Sequence, residues 1–107
     1  SSANTDTTKI TKDDYVGTWQ RVFPSEEEEK TITHIIEIYK GGTGHFRSFS
    51  DKEGSFDYNY TATWEITDDV LNLKYTFLTI GFELDTSTEP YTLTRVDDSS
   101  AVYKKIK

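Results

Sequence analysis

Hydrophobic and polar residues alternate along most of this chain with a period of two. The clearest run extends from Phe56 to Ile66, where apolar or aromatic residues occupy the even positions and polar residues the odd positions. Such an alternation predicts a strand with one buried and one solvated face, because successive side chains of a strand point to opposite sides of a sheet. A helix would repeat its apolar positions every third or fourth residue and cannot produce this pattern.

Shorter runs predict the rest of a β-sheet protein, most of them with the same alternation, although the faces of 45–50 are not assigned and 79–84 is less regular. Clusters of Gly, Pro, Asp and Ser separate these runs at hairpin positions, about every ten residues. No segment shows helical periodicity long enough to connect parallel strands. The pattern therefore predicts an all-β fold, an antiparallel up-and-down meander of seven or eight strands. The shorter runs are 15–23, 31–40, 45–50, 70–78, 79–84, 90–96 and 101–106.

A meander of this size can form a sandwich or close into a barrel. We expect a small closed β-barrel, because the connections are short and closure removes the edge strands that invite aggregation. Residues 1–12 are mostly polar and predict a flexible N-terminal tether. Residues 13–107 then form a single barrel domain.

Composition excludes several classes of function. The 107 residues include no cysteine, which removes disulfide frameworks, thiolate metal sites and thiol nucleophiles. The formal net charge of −7 argues against a nucleic-acid partner, since affinity for phosphate backbones comes from clustered Lys and Arg. No apolar run approaches the roughly 18 residues that a membrane-spanning helix needs.

Four blocks of sequence, each at a hairpin position, carry a family resemblance. They are 15–21 with its Gly-x-Trp, 37–46 around a glycine-rich turn, 63–73, and 91–103. In this order they resemble the small bacterial lipocalin-like domains of cell-envelope proteins, which are calycin-type β-barrels found in many lipoproteins of Bacteroidetes. The resemblance implies an exported protein, periplasmic or at the cell surface, that meets a membrane only through an N-terminal lipid anchor. It implies no particular ligand, because the family has no single activity.

Residues that could carry catalysis or bind a metal are few. His34 shares a predicted strand face with three isoleucines and is expected in the core or beside a cavity, whereas His45 adjoins a glycine turn. Neither lies where a nucleophile and an orienting carboxylate are evident. The run Glu26–Glu29 and the other acidic pairs fit exposed loops and turns. We therefore expect a non-enzymatic protein with no metal and no cofactor.

Two arginines fall on the predicted inner face of the barrel. By strand parity, Arg21 lies with Trp19, and Arg95 lies with Tyr91. Unpartnered charges are costly to bury, so three explanations stand open. A bulge could break the parity; each guanidinium could stack on an aromatic ring near the rim; or the arginines could pair with an anionic ligand group in a cavity.

The aromatic face of the longest strand predicts where a ligand would bind. Two successive tyrosines suit a mouth with water or a ligand, because buried phenol groups need hydrogen-bond partners. We expect a filled lower half and a shallow pocket above it that holds a small apolar or amphipathic molecule. The alternative is a solid barrel that acts as an interaction or structural module through loops such as 24–30, with an apolar patch at Ile35 and Tyr39. The candidate ligand-contact residues are Trp19, Arg21, Tyr58, Tyr60, Trp64 and Arg95.

Overall fold

The structure, a computed structural model, describes residues 10–107 and shows a closed barrel of eight antiparallel strands in chain order. One short helix, α1 (Lys12–Tyr15), precedes the first strand. Each strand pairs with the next, and the last pairs with the first. The strands are β1 (Gly17–Ser25), β2 (Lys30–Ile38), β3 (Thr43–Ser50), β4 (Tyr58–Thr67), β5 (Val70–Tyr75), β6 (Leu78–Asp85), β7 (Thr92–Arg95) and β8 (Asp98–Lys105).

The predicted fold class is confirmed, and all eight predicted segments form strands within a few residues of the expected bounds. The barrel is also compatible with the calycin type that the sequence resembles. In the part of the chain that the structure describes, no helix has the length and apolar character to cross a membrane.

The two ends of the barrel differ in construction. One end, called here the open end, carries the β1–β2, β3–β4, β5–β6 and β7–β8 connections. The opposite end, the closed end, carries α1 and the remaining connections. Because β1 and β2 pair over nine residues and β7 and β8 over only four, the wall of the barrel is longer on the β1–β2 side.

Helix α1 and two tryptophans fill the closed end. Tyr15 of α1 is buried and its hydroxyl donates a hydrogen bond to the Asp69 carbonyl at 3.2 Å. The Trp19 indole N–H donates to the Tyr15 carbonyl at 3.0 Å, and the Trp64 indole N–H donates to the Tyr39 carbonyl at 2.9 Å. Each buried indole therefore has a partner, which removes the cost of an unmade hydrogen bond.

The hydrophobic core lies between this plug and the middle of the barrel. Its members come from every strand, so no separate layer of structure is needed to cover the inner face of the sheet. Their alternation with exposed residues along β4 follows the period-two pattern of the sequence. The core comprises Tyr15, Trp19, Ile36, Ile38, Phe46, Ala62, Trp64, Leu71, Leu73, Phe82, Leu93, Ala101 and Tyr103.

Closure between β1 and β8 is the shortest pairing of the barrel. The register covers two residue pairs, beginning at Trp19, and continues through backbone hydrogen bonds of Thr18. Backbone N–H groups of alternate residues in a strand point to the same neighbouring strand, and the N–H of Thr18 points toward the β8 side. The nitrogen of Pro24 therefore also points toward β8, but proline has no N–H to donate. On β8 the Ser100 N–H donates to the Asp98 carboxylate at 3.1 Å instead of to a strand. The two strands are therefore unpaired towards the open end.

The predicted tether of residues 1–12 lies largely outside the described residues. Its last part is structured, because Ile10 packs against the core and α1 begins at Lys12. The Thr11 N–H donates to the Asp14 carboxylate at 2.9 Å, a helix-start contact that the period-two pattern does not reveal.

Candidate ligand site in the barrel mouth

The inner wall toward the open end is a continuous set of aromatic rings. Phe46 and Tyr75 stack with ring centroids 4.9 Å apart, and Tyr75 stacks on Tyr60 at 5.5 Å. Tyr58 continues the row, 6.3 Å from Tyr60. We call this set the aromatic network. Its members are Phe23, His34, Phe46, Tyr58, Tyr60, Tyr75, Phe82 and Tyr103.

His34 joins the two halves of the aromatic network. Its ring meets Phe23 and Phe46 edge-on, with centroids 5.0 and 5.2 Å away. Its Nδ1 atom shares a hydrogen bond with the Tyr103 hydroxyl at 3.0 Å. The register places Arg21 of β1 opposite His34, on the same inner face. The ring is thus held from both sides and lies at the base of the mouth.

The surroundings of His34 keep its imidazole uncharged. Burial lowers its pKa to about 4, and the positive charges of Arg21 and Arg95 act in the same direction. Burial also raises the pKa of the Tyr103 hydroxyl to about 12, an effect that the same two arginines partly offset. Imidazole and phenol are therefore both neutral near pH 7 and present hydrogen-bonding groups without net charge.

The two inner-face arginines are accommodated in different ways. The Arg21 guanidinium lies 4.0 Å from the centre of the Phe23 ring, a cation–π contact near the rim. The Arg95 guanidinium makes a two-pronged contact with the Asp97 carboxylate, with both distances 2.8 Å. The register shift between Thr94 and Arg95 lies in the pairing of β7 with β8, whereas β7 stays in register with β6 through Arg95. Ring stacking, one of the three explanations left open by the sequence, is present at Arg21, whereas Arg95 pairs with a carboxylate of its own chain.

A pocket of about 250 Å³ opens on the inner side of β2 and β3 at the mouth. Its volume lies slightly below the roughly 300 Å³ at which sites for drug-sized ligands begin, so it suits a smaller molecule. Both hydroxyl groups and aromatic rings line it. The residues that line it include Ile32, His34, Ser48, Ser50, Phe56 and Tyr58. Three hollows of 290 to 360 Å³ lie on the outside of the barrel near the closed end.

The charged side chains that line the mouth pocket balance each other. Glu28 and Lys30 both line its outer edge and form an ion pair of 3.0 Å. His34 at its base is uncharged, and the Arg95 charge is paired with Asp97. The residues that line the pocket therefore offer hydrogen bonds and aromatic faces without a net charge, and the Arg21 guanidinium is the charge nearest to His34 at its base.

The predicted ligand-contact residues separate into three groups. Tyr58 lines the pocket, and Tyr60 is half-buried behind it in the aromatic network. Arg21 and Arg95 lie nearby on the inner face, occupied by the contacts described above. Trp19 and Trp64 are buried in the closed end and do not line the pocket.

The sequence does not identify the pocket residues of β3. Ser48 and Ser50 face inward because β3 pairs with β4 in a register that sets Ser48 opposite Tyr58. The run 45–50 is too short and too mixed for its face to be assigned by alternation alone. Phe56 also lines the pocket, although it lies before β4 begins; its membership in the period-two run is the signal for it.

The apolar patch expected at Ile35 and Tyr39 is absent. Ile35 has only 9% of its surface exposed, although it lies on the outer face between Gln20 and Arg47 in the register. Tyr39 is 45% exposed at the closed end. Exposed apolar side chains are concentrated instead on hairpins of the open end.

Among residues 10–107, no three His, Asp or Glu side chains come close enough together to hold a metal ion. Comparison of the chain with models of known protein families, with curated proteins and with solved structures finds no match. The assignment of a function therefore depends on the geometry of the barrel itself.

Proposed function

We propose that this protein is a non-enzymatic binding barrel that holds a small, uncharged amphipathic molecule in the pocket at its mouth. The observation that supports this most is the pocket of about 250 Å³ whose lining includes the hydroxyl residues Ser48 and Ser50 and the aromatic residues Phe56 and Tyr58. Sites for small molecules combine apolar or aromatic walls with a few well-placed polar groups, and this lining has both.

The balance of charges favours an uncharged ligand. A cation would approach the base of the pocket near Arg21, whose positive charge has no carboxylate within ion-pair distance among the described residues. An anion would have to displace the Glu28–Lys30 pair or pass the carboxylates of the surrounding loops. A neutral ring with a hydroxyl group is not repelled by Arg21 and does not have to displace the Glu28–Lys30 pair. It can also hydrogen bond to the serines or to His34.

The cellular part of the proposal comes from the sequence resemblance. We place the protein in the lipocalin-like family and in the cell envelope, exported and held by an N-terminal lipid anchor. Fractionation of cells that produce the full-length natural protein tests this, with the protein expected in the membrane fraction and released by removal of the anchor. Recovery in the cytosolic fraction would contradict it.

Three aromatic probes of nearly equal size test the binding proposal: benzyl alcohol, benzoate and benzylamine. Chemical shifts of backbone amides are the suitable readout, because both tryptophans lie at the closed end and would report weakly. Benzyl alcohol should shift the amides of Ser48 and Phe56 and bind several-fold more tightly than either charged probe.

Paired variants locate the site. Ser48→Leu places an apolar side chain in the pocket and should abolish the shifts, whereas Thr63→Leu adds the same side chain on the exposed outer face and should leave them unchanged. If benzyl alcohol causes no shifts at the mouth, or if Ser48→Leu leaves them intact, the proposed function is wrong. Binding of benzoate alone would assign the site to an anion held by Arg21.

A further inference from the structure

Exposed apolar side chains cluster on two neighbouring hairpins of the open end. Phe56 and Tyr58, where β4 begins, are 84% and 52% exposed. Phe77 and Leu78, at the tip between β5 and β6, are fully and half exposed, respectively. Large apolar side chains grouped in this way mark interaction surfaces in proteins, whereas isolated ones need no explanation.

The two hairpins are neighbours at the open end, and the β3–β4 hairpin extends further along the barrel than the β5–β6 hairpin. Strands β4 and β5 are paired neighbours in the barrel. Tyr60 of β4 stacks on Tyr75 of β5 at 5.5 Å, and Tyr58 stacks on Tyr60 at 6.3 Å. The stacked rings thus connect the start of β4 with the end of β5. We call the surface formed by Phe56, Tyr58, Phe77 and Leu78 the apolar rim.

Negative charge is concentrated in the two loops on the Phe56 side of the apolar rim. The β1–β2 loop contributes four consecutive carboxylates, Glu26–Glu29, and the β3–β4 loop contributes Asp51, Glu53 and Asp57. Lys30 and Lys52 are the basic residues in and beside these loops, and Lys30 is already paired with a glutamate. The open end therefore combines exposed aromatic groups with an excess of negative charge.

From this combination we infer that the apolar rim docks a basic amphipathic segment of another polypeptide, one that presents apolar side chains flanked by Lys or Arg. Apolar groups of the segment would cover Phe77 and Phe56, while its cations would face the β1–β2 and β3–β4 loops. A second copy of this chain docked rim to rim would bring the acidic loops together, and an anionic bilayer would repel them in the same way. The inference goes beyond the ligand pocket, since Phe77 and Leu78 do not line it.

A synthetic amphipathic peptide of leucine and lysine tests the inference, with a leucine–glutamate peptide of the same length as the control. Calorimetric titration into the intact protein should show binding of the lysine peptide only, weakened strongly by added salt. Vesicles of a zwitterionic phospholipid are titrated separately. Binding to vesicles without binding to the lysine peptide would overturn the inference, as would equal binding of both peptides.

Matched variants locate the contact. Phe77→Ser should weaken peptide binding at least about tenfold, because buried aromatic anchors dominate such interfaces. Ile106→Ser removes an exposed apolar side chain at the closed end and should change nothing. For the charges, Glu27→Lys should weaken binding and Glu65→Lys, on the exposed face of β4 toward the closed end, should not. Wild-type affinity in Phe77→Ser would show that the peptide binds elsewhere.

Discussion

The imidazole of His34 should make the stability of the barrel depend on pH between about 6.5 and 4. Its pKa is lowered from 6.5 to about 4, chiefly by burial and then by the charges of Arg21 and Arg95. In this interval His34 binds a proton in the unfolded chain but not in the native protein, so the free energy of unfolding falls as the pH falls. Above pH 6.5 His34 is unprotonated in both states, and its contribution to the stability of the native protein no longer changes with pH.

The magnitude follows from the two pKa values. A group that titrates near 4 in the native state and 6.5 in the unfolded state accounts for at most about 3 kcal/mol. His34 is only half-buried, and solvent screens its interaction with the two guanidiniums. We therefore expect about 1–2 kcal/mol of stability to be lost through this group between neutral pH and about pH 4.5.

Urea unfolding, followed by the fluorescence of buried Trp19 and Trp64, measures this contribution. The wild-type protein is compared with His34→Gln, which keeps a hydrogen-bonding side chain but does not titrate. His45→Gln is the matched control, because it removes the other imidazole, which lies on the outer face 3.6 Å from Glu37. Carboxylates titrate in all three proteins, so their effect cancels in the differences.

The loss of stability on acidification should be about 1–2 kcal/mol smaller in His34→Gln than in the wild type and in His45→Gln. The comparison of pH slopes is independent of any constant cost that the substitution has at neutral pH. Parallel slopes for wild type and His34→Gln would refute the reasoning. A nuclear magnetic resonance titration in which the His34 imidazole of the native protein has a pKa near 6.5 would also refute it.

Three further substitutions test the description of the barrel by urea or thermal unfolding. Gly44→Ala should cost about 1–3 kcal/mol, because its Cβ would lie 2.5 Å from the Glu37 carbonyl oxygen; wild-type stability would mean that β2 and β3 can separate there. Trp19→Phe should cost about 1–2 kcal/mol, since it removes the 3.0 Å hydrogen bond to Tyr15 and part of a buried ring system; no loss would contradict the role of Trp19 in the plug. Phe77→Ser should change stability by less than about 0.5 kcal/mol because the ring is fully exposed, and a larger loss would place this ring in the core.

The sequence predicts most of this fold because each strand has one wet and one dry face. The 56–66 run sets the register of β4, and the turn residues set the hairpin positions around it. Helix α1 cannot be predicted from periodicity, since it spans four residues and includes one buried side chain, Tyr15. A helix of one turn is too short to show a period of 3.6.

The candidate site is less predictable for a definite physical reason. Alternation identified Tyr58 and Tyr60 as inward-facing, but Trp64 continues the same row into the closed end, where α1 covers the barrel. The depth of a residue along the barrel depends on strand lengths and on how the end is plugged, which periodicity does not encode. Ser48 became part of the pocket through the pairing of β3 with β4, a long-range property of the fold.

The polar tips of the aromatic network do not by themselves require a ligand. The level of His34 is the boundary between the barrel interior and water. Tyr60, Tyr75 and Arg21 are half-buried there, and each combines an apolar body with a polar tip, which suits such a boundary. The space beside Ser48 is not explained by this boundary, because the small serine side chains leave a pocket that larger side chains would fill. If that space serves a ligand, Ser48→Leu should abolish binding of benzyl alcohol with no loss of stability. A strong loss of stability would instead show that the wall needs Ser48 for its own structure.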